Sequence, residues 1–226
     1  MLQIRPARLA DLPGMAAVLQ DAFSDKMRAI FGSNRKKIVS LLELIYTGPV
    51  KRGYDGVLVA DRGGRIVGTL VIEPLLHTAD ENRAFESLAV RELGLLRLLR
   101  AAFMLWLLSH KPAPDEAYVS DVGVASDCQG EGIGGQLIIH AEQWAREHGR
   151  TRLTLWVSAD NARAIHVYEK AGLAITRTRS SWLTRLTYGI RRWHFMEKSL
   201  TTRQLPSGQR DHRQDAENAE KSNKAP

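Results

Sequence analysis

The sequence predicts an α/β fold, one mixed sheet with helices on both faces. Three observations point there. Two apolar, β-branched runs, Val57–Ala60 and Ile66–Ile72, flank Asp61-Arg62-Gly63-Gly64-Arg65 and read as a hairpin. A strand at Ala117–Val124 leads through a glycine-rich segment into a helix from about Gly132 to His148. After it, strand Arg152–Val157, helix Asn161–Ala171 and two strands near Leu173–Thr178 and Arg192–Glu197 complete the alternation.

The other elements follow from local signals. Leu2–Pro6 reads as an edge strand. Asp11 is placed to cap a helix through Phe23, with Leu12, Met15, Ala16, Leu19 and Phe23 roughly on one side. Ile38, Leu41, Leu42 and Ile45 fall at helical spacing within Ser33–Tyr46, and Gly48-Pro49 is expected to end that helix. Ile133, Leu137, Ala141 and Trp144 form one stripe on the helix after the glycine segment, and Gly149 suits its C′ position. Between the third and fourth strands lies an insertion, about 74–116, in which Glu92–Ser109 reads as one helix, apolar nearly all round from Ala101 to Leu108. Such a helix is expected to be buried, over an acceptor site or against a second subunit as a homodimer contact; a membrane-surface position, with Arg97 and Arg100 at the headgroups, is the alternative.

Composition sets the outer limits. With 226 residues, 44% hydrophobic and 25% charged, the chain has enough material for one domain with its own core, expected over residues 1–200. Residues 201–226 hold Leu205 as their only large apolar side chain and read as a disordered tail. One cysteine, Cys128, excludes an internal disulfide and a cysteine-type zinc cluster, and no metal is expected. The excess of 32 Lys and Arg over 25 Asp and Glu, a net +7, suits an anionic partner without choosing a nucleotide, RNA or a lipid surface. The N-terminus has no basic segment followed by an apolar run, and Leu93–Leu108 is too short and too charged to span a bilayer, so the expectation is a soluble, cytoplasmic protein without a transmembrane segment.

The stretch from Val122 to Gly135 is where the chemistry concentrates. Glycines let the backbone approach a ligand closely, and a helix opening adds N–H groups without partners and the positive end of its dipole, a combination that holds phosphates. A Walker loop needs Gly-Lys-Ser/Thr, whereas Gly134 and Gly135 precede Gln136 and Leu137. Gly130, Gly132 and Gly135 match the dinucleotide spacing, and Asp160 supplies an acid after the next strand; but that fingerprint puts its first glycine directly after the strand, and here Ala125–Gln129 intervenes. A ligand-free glycine turn is the third reading.

A fourth is a family resemblance. Gln129-x-x-Gly132-x-Gly134, after the Val122-Gly123-Val124 strand end, resembles the coenzyme A pyrophosphate loop of the GNAT N-acetyltransferases. Asn161-x-x-Ala164-x-x-x-Tyr168-x-x-x-Gly172-Leu173 is similar to their second signature, with its final aromatic relaxed to Leu173. The opening Ile4-Arg5-Pro6-Ala7…Asp11-Leu12-Pro13 is similar to their first strand and helix start, so the resemblance spans about Leu2–Leu200 outside the insertion.

The resemblance implies a mostly antiparallel sheet and acetyl-coenzyme A as co-substrate. The loop residues Gln129, Gly130, Glu131, Gly132, Ile133, Gly134 and Gly135 would hold its pyrophosphate, the backbone of Val122, Gly123 and Val124 its pantetheine arm, and Asn161 and Ala164 would add contacts. A bulge in that strand, for which Gly123 is suited, would splay it from the next and supply an N–H for the oxyanion. Tyr168 would lie near the thioester sulfur and protonate the departing thiolate. For the base the resemblance gives less. Trp156 stands where relatives that acetylate protein N-termini often carry Glu, leaving Asp121 and Glu73 as candidates, or a water relay. Acetyl transfer to a primary amine of a small molecule or peptide is thus expected; acetylation of aminoacyl-tRNA and a non-catalytic acyl-coenzyme A sensor are the rivals. His166 is expected to face solvent and Cys128 to be incidental. The basic, mixed segment Ser24–Arg35, with Lys26, would form the other wall of the acceptor site.

Overall fold

Seven strands join in one sheet in the order β1-β2-β3-β4-β5-β7-β6. In the computed structural model, which describes residues 1–73, 75 and 77–200 apart from the side chain of Leu108, these are β1 Leu2–Pro6, β2 Val57–Arg62, β3 Arg65–Glu73, β4 Glu116–Val124, β5 Arg152–Ser158, β6 Ala174–Ser180 and β7 Arg192–Ser199. The expected tail at 201–226 lies outside the described residues. Only β4 and β5 pair parallel; every other pairing is antiparallel, the mixed, mostly antiparallel sheet that was expected.

The two faces carry different helices. On one face α1 (Leu12–Ala22) lies on β3 and β4, joined by α2 (Ser24–Phe31) and α3 (Arg35–Lys51). On the other lies α6 (Ile133–Glu147), with α7 (Ala162–Lys170) beside it. Two glycines show how closely the layers approach. A Cβ at Gly123 would meet Ala22 and Val18 of α1 at 3.3 and 3.4 Å, and one at Gly68 would meet Ile133 and Leu137 of α6 at 3.0 and 3.2 Å. The stripe Ile133, Leu137, Ala141 and Trp144 is buried, as its spacing predicted, and each large apolar side chain taken from water contributes about 1.5–3 kcal/mol.

Local structure departs from the sequence reading in several places. Asp11 does not cap α1: its carboxylate accepts from the Arg8 N–H at 2.7 Å and from Arg5 at 2.6 and 2.9 Å, and Arg5 also reaches Asp61 at 2.8 Å. An available guanidinium outcompetes the helix N–H groups for that carboxylate. Pro49 sits inside α3 instead of ending it; Pro49 and Val50 are buried, and the last turn bonds onward from Arg52 N–H to Gly48 O and from Tyr54 N–H to Pro49 O. The segment Ser24–Arg35 contains the unforeseen helix α2, and α8 (Trp182–Tyr188), capped by Ser181, separates the last two strands.

The insertion holds two helices rather than one. α4 (Ala79–Leu93) opens on a Thr78–Glu81 capping box, and α5 (Leu95–Leu108) follows Gly94, whose φ of 76° breaks the helical path. α5 packs against α2 and α4 through Ala101 and Met104, whereas Leu96, Leu99, Phe103 and Trp106 are exposed. In the single chain the inner side of this helix is buried and Leu105 and Trp106 line a large cleft, while its outer side is uncovered. Its far end is tied back to the sheet through Glu116, a buried carboxylate. Burial pushes Glu116 up, but bonds from Thr154, the Ala113 N–H and His110 outweigh burial and hold it below the usual range.

Candidate active site

The parallel pair β4–β5 is bonded only from Glu116–Val119 to Arg152–Leu155. Beyond Val119, β4 continues along β3 alone, while Trp156–Ser158 pairs with β7 alone. The separation starts at a bulge: Ile72 pairs with Val119 and Val71 with Asp121, leaving Ser120 as the extra residue. The bulge is thus at Ser120 and not at Gly123, whose lack of a side chain serves the approach of α1. Between the diverging strands opens a cleft of about 1780 Å³ that reaches the glycine loop at one end and α2, α5 and α8 at the other.

The loop leaves backbone N–H groups open at a helix start, a geometry that can accept an anion. Gly130 and Gly132 have φ of 92° and 80°, a region costly for any side chain, and a Cβ at either would meet nothing within 4 Å. Gly132 is the N-cap of α6, and the first bond into it runs from Gln136 N–H to Gly132 O. The N–H groups of Ile133, Gly134 and Gly135 have no acceptor among the described residues, as at any open helix start. Gln129 bridges the loop to its surroundings, donating to the Val124 carbonyl at 3.4 Å and accepting from Arg163 of α7 at 2.7 Å. Glu131 faces outward in an ion pair with Arg62.

The cleft is lined by Tyr168, 9% exposed, whose hydroxyl has no hydrogen-bond partner among the described residues. Burial, with a smaller push from Asp121, moves its pKa up to about 12, so the phenol keeps its proton at neutral pH. Asp121, two positions past Val119, accepts from Ser120 at 3.2 Å and from Tyr46 of α3 at 3.4 Å. Burial holds its carboxyl above the usual range against the opposing pull of Lys26, Ser120 and Tyr46. Glu73 is likewise raised by burial, although the Leu75 N–H bonds it at 2.7 Å. Lys26 sits 5.1 Å from the Phe23 ring and 5.0 Å from that of Trp193, and burial lowers its pKa.

The glycine loop opening α6 and Tyr168 on α7 thus line one cleft beside the parted strands. The sequence model described as "Acetyltransferase (GNAT) family" matches residues 19–173. The chain belongs to that family. Among curated members it is 36% identical over 80 residues to a mycothiol acetyltransferase from Corynebacterium aurimucosum, covering 35% of this chain and 26% of that one. It is 45% identical over 56 residues to a streptothricin acetyltransferase from Streptomyces lavendulae, covering 25% and 30%. These matches span about a quarter to a third of each relative's length. The GNAT fold extends further: a putative acetyltransferase, yncA, from Salmonella typhimurium, solved with acetyl-CoA, superposes with a TM-score of 0.55 at 18% identity over 92% of this chain and 98% of that one.

Within this GNAT domain the structure brings Tyr168, Asp121, Val122, Val124, Gln129, Gly130, Gly132, Ile133, Gly134, Gly135, Asn161 and Ala164 to the walls of one cleft. Gly123 is set apart, facing α1, and Glu131 points to Arg62. The side-chain oxygen of Asn161 caps α7 by accepting from the Ala164 N–H at 3.1 Å. Its amide nitrogen is what remains for a ligand. His166 is exposed, and Cys128 is buried beside Arg62 and Asp127. Trp156 leans on Phe195 with ring centroids 5.1 Å apart and cannot take a proton. Sequence reasoning missed Tyr46, Tyr118 and Arg163; Tyr118 shares a strand with Asp121 and Arg163 stands inside the second signature, whereas the place of Tyr46 depends on which elements pack together.

Proposed function

We propose that this chain transfers the acetyl group of acetyl-coenzyme A directly to a primary amine bound in the same cleft. The observation that carries the reading is the open helix start: three consecutive N–H groups at Ile133, Gly134 and Gly135 without acceptors, behind two glycines in left-handed backbone, at the mouth of a cleft containing a protonated, unpartnered phenol. These N–H groups would take the pyrophosphate, with Arg163 and Gln129 beside it. The unpaired edge of β4 from Val122 to Val124 is free to bond the pantetheine amides. Acetyl-coenzyme A supplies the activated acyl carbon.

The protein's residues then handle two protons. The amine nitrogen forms a bond to the acyl carbon as the carbon–sulfur bond breaks. Tyr168 hands its proton to the departing sulfur, and Asp121 accepts the proton that the amine sheds. A carboxyl raised by burial is a better base near neutrality than an ordinary one, because its affinity for the proton is higher. Isothermal calorimetry with acetyl-coenzyme A, followed by free-thiol release across a panel of amines, tests the reading. Binding together with amine-dependent thiol release is expected. Absence of binding removes the cofactor assignment, and binding without turnover for any amine leaves a sensor.

A further inference from the structure

Behind Asp121 the cleft opens into a side chamber of about 330 Å³. Leu19, Met27, Phe31, Leu42, Ile45 and Leu105, from four helices, supply most of its wall. Its polar groups gather where Asp121, Glu73, Tyr46 and His77 stand. Met27, Glu73, Leu105 and Asp121 line both spaces, so chamber and cleft share a boundary at the acids. On the cleft side of that boundary, Tyr118 and Tyr168 are at least nine-tenths buried, and neither hydroxyl has a hydrogen-bond partner among the described residues.

We propose that the acceptor is a primary amine on a compact apolar body, with its nitrogen at Asp121 and Glu73 and its body in the chamber. This rests on the acetyl-transfer reading above and narrows it. The two carboxyls are raised chiefly by burial, so an arriving ammonium is the group that restores their ionised form, with Lys26 on the cleft side as the neighbouring cation. Glu73 takes the ammonium's extra proton, so the neutral nitrogen keeps its lone pair for the acyl carbon and Asp121 stays free to accept the proton shed on attack. The rest of the ligand meets hydrocarbon. A sugar or a peptide backbone placed there would leave hydroxyls or amides without partners, the situation apolar sites reject most strongly. The volume is at the low end of small-molecule sites, which run from about 300 to 1,000 Å³, and suits a phenylalkyl or medium-chain alkyl group.

The test uses the full chain with saturating acetyl-coenzyme A and follows thiol release with hexylamine, 2-phenylethylamine, glucosamine and an alanyl tripeptide. The two apolar amines are expected to show kcat/KM about 100-fold above glucosamine and the peptide. Met27→Gln and Leu105→Gln place amides on two part-exposed walls; each is expected to raise the hexylamine KM about 10-fold while acetyl-coenzyme A binding stays within about twofold. Equal or better turnover of glucosamine or the peptide overturns this inference alone, as does an unchanged hexylamine KM in both variants. No turnover with any amine, while acetyl-coenzyme A still binds, overturns the transfer reading and this inference with it.

Discussion

Arg163 of α7 donates to the side-chain oxygen of Gln129 at 2.7 Å, linking the second signature helix to the loop that opens α6. Both side chains are exposed, so the bond contributes little to folding by itself. Its consequence is positional: a guanidinium is held beside the three open N–H groups. Arg163→Ala is therefore expected to raise the KM for acetyl-coenzyme A about 10-fold with kcat nearly unchanged. Because the cation is solvated, the difference between wild type and variant should shrink between low salt and about 0.5 M. Equal KM values at low salt would place the pyrophosphate elsewhere.

Tyr168→Phe removes the one cleft phenol on the signature helix without changing the ring that packs there. A general acid contributes about 10²–10⁴-fold, so kcat should fall by at least the lower figure, with acetyl-coenzyme A affinity within about twofold. Since the hydroxyl's pKa lies near 12, it stays protonated across any assay range, and it should produce no alkaline limb between pH 7 and 10. A Phe variant with full turnover would reduce Tyr168 to a packing role.

The two motifs were legible because each is local. The spacing from Gln129 to Gly134 and from Asn161 to Tyr168 is set along one loop and one helix, and the strands around them announce themselves by β-branched runs. What the sequence hid was tertiary. Asp11 looks like a helix cap until Arg5 is seen to compete for it. Pro49 looks like a stop, yet the turns around it found other acceptors. The bulge was sought at the glycine, but Gly123 is small so that α1 can approach, and Ser120 is what the register leaves over. Tyr46 reaches Asp121 across 75 positions of chain, a pairing that no periodicity announces.

The Arg5–Asp11–Asp61 cluster gives a stability prediction with a definite sign. Asp11 is held below its ordinary range chiefly by the Arg5 hydrogen bond, with the Arg8 N–H adding to it. A depressed native carboxyl contributes stability that is present above its unfolded value, ordinarily 3.8, and is lost as pH falls through the lower native one. Asp11→Ala leaves the part-buried guanidinium with Asp61 alone and is expected to cost about 3 kcal/mol at pH 7. Urea midpoints at pH 7 and pH 3 measure it. The wild-type advantage should narrow at the lower pH; an advantage constant with pH would mean that packing, not charge, is what was lost.

Asp121 runs the opposite way. Its native carboxyl is raised, chiefly by burial, against the pull of Lys26 and the bonds from Ser120 and Tyr46. Between the ordinary value of 3.8 and the higher native one, the folded chain binds more protons than the unfolded chain, so stability declines as pH rises through that interval. Asp121→Asn keeps the shape and removes the charge. Its melting temperature should gain on wild type as pH is raised from 4 to 8, while kcat/KM for an amine falls about 100-fold and the acidic limb of the rate profile disappears. Lys26, Ser120 and Tyr46 act on this carboxyl, whereas burial and then Asp121 push Glu73 up, so Glu73→Gln serves as the comparison: it should leave the Asp121 limb in place. If Asp121→Asn is no more stable than wild type at pH 8 and retains its acidic limb, the proton leaves the amine by another route, and Glu73 becomes the first residue to test in its place.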